Sequence, residues 1–480
     1  LFRSEIISAP GAKYSAEGSS GILNIVLKKG SGFKQAQANL QWGTHDQVAL
    51  STRYGNGFKR LSYSFDYNFK QSIRDNFQHL YRENASQYGL SQIEQNTQEV
   101  NRDYNHALQA RLEYSLNPRW TLGLQGIGRY SKDHNNEARL NFSQFVRAPD
   151  RYYIRDADKQ GDDRGMDVLI SLGTVGKLRT SAHLDFLWIR NIGSDQNDFT
   201  QRYFYGGFDI PNTNFPNRIE QSSARSGNYT LLFQGDWETQ LSKKIRVDYG
   251  FKLTERLFDT DFRYEKFQGV WNVDLKRSNA FQYLERIQAV YGAAKLSTKK
   301  WDVLGGLRVE ATQANLNYVQ LFPSFSAERQ LTKNQQVGFR FSSRVNRPSY
   351  KALNPFISFA DPLNLQSGNP MLQPERTYLA ELEHSMDVGT LHSSNQLFYR
   401  RVRACLAKCR THPLSFEQMF EYSPHSDLPV TTDGSAPIEF TYRGKRFRIH
   451  NVLTRWCESG GWWNRISDGI YRPDDNSRRS

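Results

Sequence analysis

Between about residues 33 and 400 the chain alternates apolar and polar side chains with a period of two, and this constrains the fold more than any other feature. Ala36, Ala38, Leu40 and Trp42 interleave with Gln35, Gln37, Asn39 and Gln41. Leu61, Tyr63, Phe65, Tyr67 and Phe69 interleave with Ser62, Ser64, Asp66, Asn68 and Lys70, and the pattern returns over Leu108–Leu116, Val247–Leu253 and Val337–Phe341. Successive side chains of a strand point to opposite faces, so each run is a strand with one oily and one wet face. The runs extend over roughly nine to thirteen residues, the length a tilted strand needs to cross hydrocarbon; strands of soluble sandwiches are nearer five or six.

The connections alternate as well. Gly55-Asn56-Gly57, Asn117-Pro118-Arg119 and Ser297-Thr298-Lys299-Lys300 read as tight turns, while the stretches around Ser72–Tyr104, Asn135–Gly165 and Gly193–Gly227 read as long polar loops. Short turns at one end and long loops at the other belong to outer-membrane barrels, with the long loops outside. The expected fold class is therefore all-β, an antiparallel transmembrane β-barrel.

Composition narrows the function. Apolar residues make up 38% of the chain and aromatics 13%, too aromatic for a disordered chain and suited to strands that are half wet. The net charge of +14 is dispersed without a run of five basic residues, so the barrel region is not expected to bind nucleic acid; Lys and Arg line a solvated surface or lumen. No secretory segment opens the chain at Leu1, which puts any signal sequence upstream of it. The His-Glu-x-x-His, Gly-x-Ser-x-Gly and phosphate-loop spacings do not occur, and carboxylates alternate with Arg and Lys at strand spacing, the pattern of lumen and loop ion pairs. Neither an enzyme, a cofactor nor a metal site is expected.

Three stretches resemble the TonB-dependent outer-membrane receptors, in particular their outer membrane protein β-barrel family. Pro10 to Lys29, with Gly18 and Gly21 before a strand over Ile22–Leu27, is similar to the end of the plug domain leading into the first barrel strand. Trp301–Thr312, containing Gly305-Gly306-Leu307-Arg308-Val309-Glu310, is similar to a barrel strand. Asn346-Arg347-Pro348-Ser349-Tyr350, Leu353-Asn354-Pro355-Phe356 and Ser367-Gly368-Asn369-Pro370, followed by Gln373-Pro374-Glu375, resembles the long extracellular connection and the strand after it. Prolines 348, 355, 362, 370 and 374 forbid a continuous strand there.

The resemblance covers residues 1 to about 401 and divides the chain into the end of a plug domain (1–31), a partial barrel (32–401), a linker (402–437) and a small unrelated tail domain (438–480). Thirteen or fourteen strand-like runs fall short of the roughly 22 of plugged transporters, so the barrel is expected to be incomplete and not functional alone. After Arg401 the alternation stops and Cys, His, Pro and Trp take over, as a gene fusion or a frameshift join would produce. Cys405, Cys409, His412 and Cys457 lack the spacing of a zinc site, and Arg443, Lys445, Arg446 and Arg448 read as a solvated strand face.

The resemblance implies energy-coupled uptake. A bulky nutrient would bind at the extracellular loops, where Asp361, Asn364 and Asn369 are the ligand-side candidates, and an inner-membrane energy-coupling protein would act through the plug, most of which would precede Leu1. Outer-membrane lipid is the other expected partner, and the cell outer membrane the expected location. Alternatives are a passive porin, a structural or adhesive surface barrel, and a soluble β-rich binding protein.

Overall fold

The computed structural model describes residues 3–7, 10–18, 22–26, 34–44, 46–86, 89–145, 148–176, 180–355, 367–388 and 391–403, with short strand segments between 430 and 473. Two strands, β1 (Arg3–Ile7) and β2 (Ile22–Val26), pair with each other outside the main sheet. That sheet holds seventeen strands in antiparallel order. They begin with β3 (Lys34–Gly43), β4 (Gln47–Phe58), β5 (Leu61–Ser86), β6 (Gly89–Ser115), β7 (Trp120–Phe145), β8 (Ala148–Val175), β9 (Thr180–Tyr205), the two-residue β10 (Ile210–Pro211), β11 (Arg218–Gln240) and β12 (Ile245–Phe267). The sheet continues through the three-residue β13 (Trp271–Val273), then β14 (Asn279–Ser297), β15 (Trp301–Gln313), β16 (Tyr318–Thr332), β17 (Gln335–Asn346), β18 (Glu375–Val388) and β19 (Leu391–Arg403). One short helix, α1 (Tyr350–Leu353), interrupts the connection from β17 to β18.

The sheet is inside out relative to a soluble protein. Leu112, Leu124, Ile170, Phe186, Phe233 and Leu253 stand opposite one another in a single row across six strands, and every one of them is exposed. The buried positions instead include Glu310, Arg308, Glu220 and Asn141, and the only apolar cluster among the described buried residues is Ala16, Phe322 and Val345. Oily side chains facing out and charges facing in are what a lipid-embedded barrel requires. No helix among the described residues is long and apolar enough to cross a membrane; the crossing elements are strands.

Strand order brings β19 round to β3, but no residue-by-residue register joins the two among the described residues. All ten residues of β3 and residues 394–403 of β19 are exposed on both faces. The barrel is therefore incompletely closed, as the strand count implied, with two edges whose backbone groups lack a ladder.

Two sequence expectations need correction. Gly55-Asn56-Gly57 is not a turn but lies inside β4; the reversal is at Lys59-Arg60, where Lys59 takes a φ of 50°. The stretches read as long loops are mostly strand: β5 to β9 run 26 to 28 residues each, and the hairpin of β5 and β6 stays in register from Leu61↔Tyr114 to Ser86↔Gly89. Only about ten residues of such a strand lie in hydrocarbon. The rest has water available to both faces, so its side chains need not alternate, and the backbone ladder alone continues. The turns at residues 116–119 and 298–300 are as expected, the first closed by Asn117 Oδ1 accepting from Arg119 N and Trp120 N at 2.9 and 3.1 Å. The irregular segment between β17 and β18 is also as the prolines demand.

In the tail, Pro437–Tyr442 pairs with Lys445–Arg448, setting Phe440 opposite Phe447, and Val452–Glu458 pairs with Gly461–Ile466. Cys405, Cys409 and His412 lie outside the described residues.

Candidate functional site in the barrel lumen

Two segments that are not wall strands enter the lumen. The first is the stretch over residues 10–18. Ala16 and Gly18 exchange backbone hydrogen bonds with Val345 of β17, at 2.9 Å (Val345 N to Ala16 O) and 2.8 Å (Gly18 N to Val345 O), and Glu17 forms a parallel bridge with it. Gly18 sits at a φ of 101°, which a side chain would strain, and Arg344 Nη2 donates to the Glu17 carbonyl at 2.8 Å. Ala12 lies so close to Gly306 of β15 that a Cβ there would come within 2.9 Å of the Ala12 Cβ.

The second segment is the connection after β17. Tyr350 of α1 stacks on Phe258 of β12 with ring centroids 3.5 Å apart, and Lys351 lies within electrostatic reach of Asp195 on β9. The segment therefore folds inward. Ser349 caps α1, its hydroxyl accepting from Ala352 N at 3.3 Å. Gly368 N donates to Asn354 O at 2.7 Å and Asn369 N to Ala352 O at 2.6 Å, which seats the returning chain on the helix; a Cβ on Gly368 would overlap the Ala352 carbonyl.

A network of charges joins these segments to the wall. Glu17 accepts two hydrogen bonds from Arg256 of β12, at 3.3 and 3.1 Å, and Arg256 also donates to Glu285 of β14 at 3.1 Å. Arg347 donates to Glu310 at 2.6 Å, to Thr312 at 3.2 Å and to the Tyr318 hydroxyl at 3.3 Å, while Arg308 holds the other Glu310 oxygen at 2.6 Å. Arg308, Glu310 and Arg347 are nearly fully buried. A buried charge is costly unless paired; Arg308 pairs with Glu310 along β15, and Arg347 reaches Glu310 from the connection after β17, so that pair fixes where the inserted connection starts.

A second network lies farther out. Glu220 is twenty residues along β11 from its inner end at Gln240, well beyond the roughly ten that cross hydrocarbon. It accepts from Arg155 of β8 at 2.8 Å and Arg218 at 2.7 Å, with Arg277 at 3.7 Å. Burial would raise the Glu220 pKa, but Arg218 and Arg155 outweigh it and pull the carboxyl down to about 2. Burial, and then the Glu220 charge, push the neighbouring Tyr264 hydroxyl up.

Of the residues singled out in the sequence, Arg347 is central to the inner network. Asn346 closes the β17–β18 ladder opposite Glu375, and its amide donates to that carboxylate at 3.4 Å. Pro348 is partly buried beside it and Pro355 is exposed. Asn354, Gly368 and Asn369 form the helix seat, and Asn369 Oδ1 accepts from Met371 N at 2.9 Å across Pro370. Asp361, Asn364 and Gly21 lie outside the described residues. Sequence reasoning missed Glu17, Arg256, Glu285 and Glu310 as partners. A signal existed in β15, where Arg308, Glu310 and Thr312 occupy the wet face between Leu307, Val309 and Ala311, but alternation names a face and not a partner.

No curated relative matches the sequence. Residues 174–407 match the outer membrane protein beta-barrel family. Two variants of the ferric enterobactin receptor PfeA from Pseudomonas aeruginosa share the fold at 14% identity, with TM-scores of 0.52 and 0.53, each over 83% of this chain and 57% of theirs. The complex of FpvAI with pyocin S2 matches at 11% identity and a TM-score of 0.50, over 80% of this chain and 51% of that one. The chain thus spans little more than half the length of the solved structures it is similar to. The oily outer row and charged lumen are those of a membrane β-barrel, residues 174–407 carry the match to the outer membrane protein beta-barrel family, and the fold is the one these receptors have.

Proposed function

We propose that the chain supplies part of the wall, and the last inserted segment, of a receptor for energy-coupled uptake of a bulky nutrient. The observation that carries this is the docking of residues 10–18 inside the lumen through Glu17, Arg256 and Arg344. Among the described residues the segment is held by ion pairs, by Arg344 and by two backbone hydrogen bonds to Val345, so it can be withdrawn without breaking a ladder between wall strands. An energy-coupling inner-membrane protein acting on the upstream plug would apply the pull. Solved neighbours include a ferric enterobactin receptor, which favours a large, scarce cargo but does not name the one used here. Asn369, at the inward-folded connection, is the ligand-side candidate within the described residues, with Asp361 and Asn364 on the same connection.

The test is depletion of candidate cargoes larger than about 1 kDa from the medium of cells displaying the protein, with and without an uncoupler of the proton gradient. Uptake that stops with the uncoupler is expected. Uptake that continues points to a passive porin, and binding without uptake to an adhesive surface barrel.

A further inference from the structure

The outer face of the last three strands carries a groove that the lumen does not use. Phe341, Ala380 and Tyr399 form one cross-strand row, two residues beyond the row of Phe339, Leu382 and Leu397, and so share its face. Those three are 41%, 49% and 72% exposed, which makes the face the lipid-facing one. Toward the extracellular end, Tyr378 stands opposite Arg401 and Arg376 opposite Arg403. Between these rows lies a groove of about 310 Å³, lined by Phe341, Tyr378, Tyr399, Arg401 and Arg403 together with Leu379 and Ala380.

Its depth and charge point to one occupant. Tyr399 is eight residues and Arg401 ten residues beyond the inner end of β19 at Leu391, where a tilted strand leaves the hydrocarbon after roughly nine to eleven residues. Tyr rings belong at that boundary, and guanidinium groups just above it face the level of lipid headgroups. Arg401 and Arg403 are exposed and form no ion pair among the described residues. A buried or paired arginine would have its charge used; these two present theirs outward, two residues apart on one face, above an aromatic wall. Guanidinium matches phosphate oxygens in two-pronged geometry.

We propose that this groove binds the phosphorylated headgroup of an outer-leaflet lipid, with Arg401 and Arg403 on the phosphate and Phe341, Tyr378 and Tyr399 against the upper acyl chain. The proposal rests on the membrane barrel and not on the transport reading, so either can fail without the other.

The full chain in detergent micelles would be offered diphosphorylated lipid A or its fully dephosphorylated form, and retained lipid measured by native mass spectrometry. Preference for the phosphorylated form by about tenfold is expected, the scale of one or two charge-assisted hydrogen bonds. The Arg401→Gln/Arg403→Gln variant should lose that preference, while Arg401→Lys/Arg403→Lys keeps part of it. Far-ultraviolet circular dichroism identical to the parent certifies that each variant has kept its sheet. Equal retention of both lipids by the parent, or an undiminished preference in the Gln variant, overturns the proposal.

Discussion

Arg347 and Glu310 meet at 2.6 Å, joining the first residue after β17 to the inner face of β15 across the intervening β16. Glu310 also holds Arg308, so one carboxylate is shared by two buried guanidinium groups. Glu310→Gln keeps the shape and removes the charge, and the loss should be near the 3–5 kcal/mol typical of breaking a buried pair. It would be read as a lower urea midpoint in micelles, with faster protease cleavage within residues 347–374. Unchanged cleavage would show that the pair does not hold the connection in place.

Gly368 touches the Ala352 carbonyl with no room for a side chain. Gly368→Ala should cost about 1–3 kcal/mol as an overpacked site and speed hydrogen exchange at the Gly368 and Asn369 amides, which bond to Asn354 and Ala352. Gly338→Ala is the control, since its added carbon would sit 3.5 Å from Glu328, an ordinary contact. Equal exchange in both variants would contradict the seat described for α1.

Glu220 ties stability to pH in the acid range. Its folded pKa of about 2 lies below the ordinary 4.5, so its contribution is present in full above pH 4.5 and disappears as pH falls through 2. The size is about 3 kcal/mol from the shift. Unfolding midpoints of the parent should fall between pH 4.5 and 2 relative to Glu220→Gln, whose dependence in that window is expected to be flatter. Parallel curves for the two proteins would remove Glu220 from the acid response.

Gly306 and Ala12 are packed closely enough that Gly306→Val should push the inserted segment off the wall. With the three native cysteines replaced by serine, Ala12→Cys should be protected from a water-soluble thiol reagent, and Gly306→Val should raise its labelling rate by about tenfold or more, the opening expected when roughly 1.4 kcal/mol of packing is lost. No change in rate would mean that residues 10–18 are held by Glu17 and the Val345 bridge alone.

The barrel was legible because lipid imposes a rule on every second residue: Leu112, Leu124 and Ile170 must be oily wherever they face acyl chains. Beyond hydrocarbon the rule lapses, and Asp75, Asn76 and Gln78 in β5 look like a loop although they are laddered to Val100, Glu99 and Thr97. The ion pairs were half legible. Arg218 and Glu220, or Arg308 and Glu310, are two apart on one strand and could be read as neighbours. Glu17 and Arg256 are 239 residues apart, and only the three-dimensional path of the chain brings them together.

Because β5 to β9 carry their ladder far past the bilayer, the vestibule on that side is walled by sheet and not by free loops. Such a wall tolerates exchange of single inward side chains but not the insertion or deletion of one residue, which would swap its two faces from that point on. Divergence among proteins built this way should therefore proceed by substitution along these hairpins, with length changes confined to the connections between their strands.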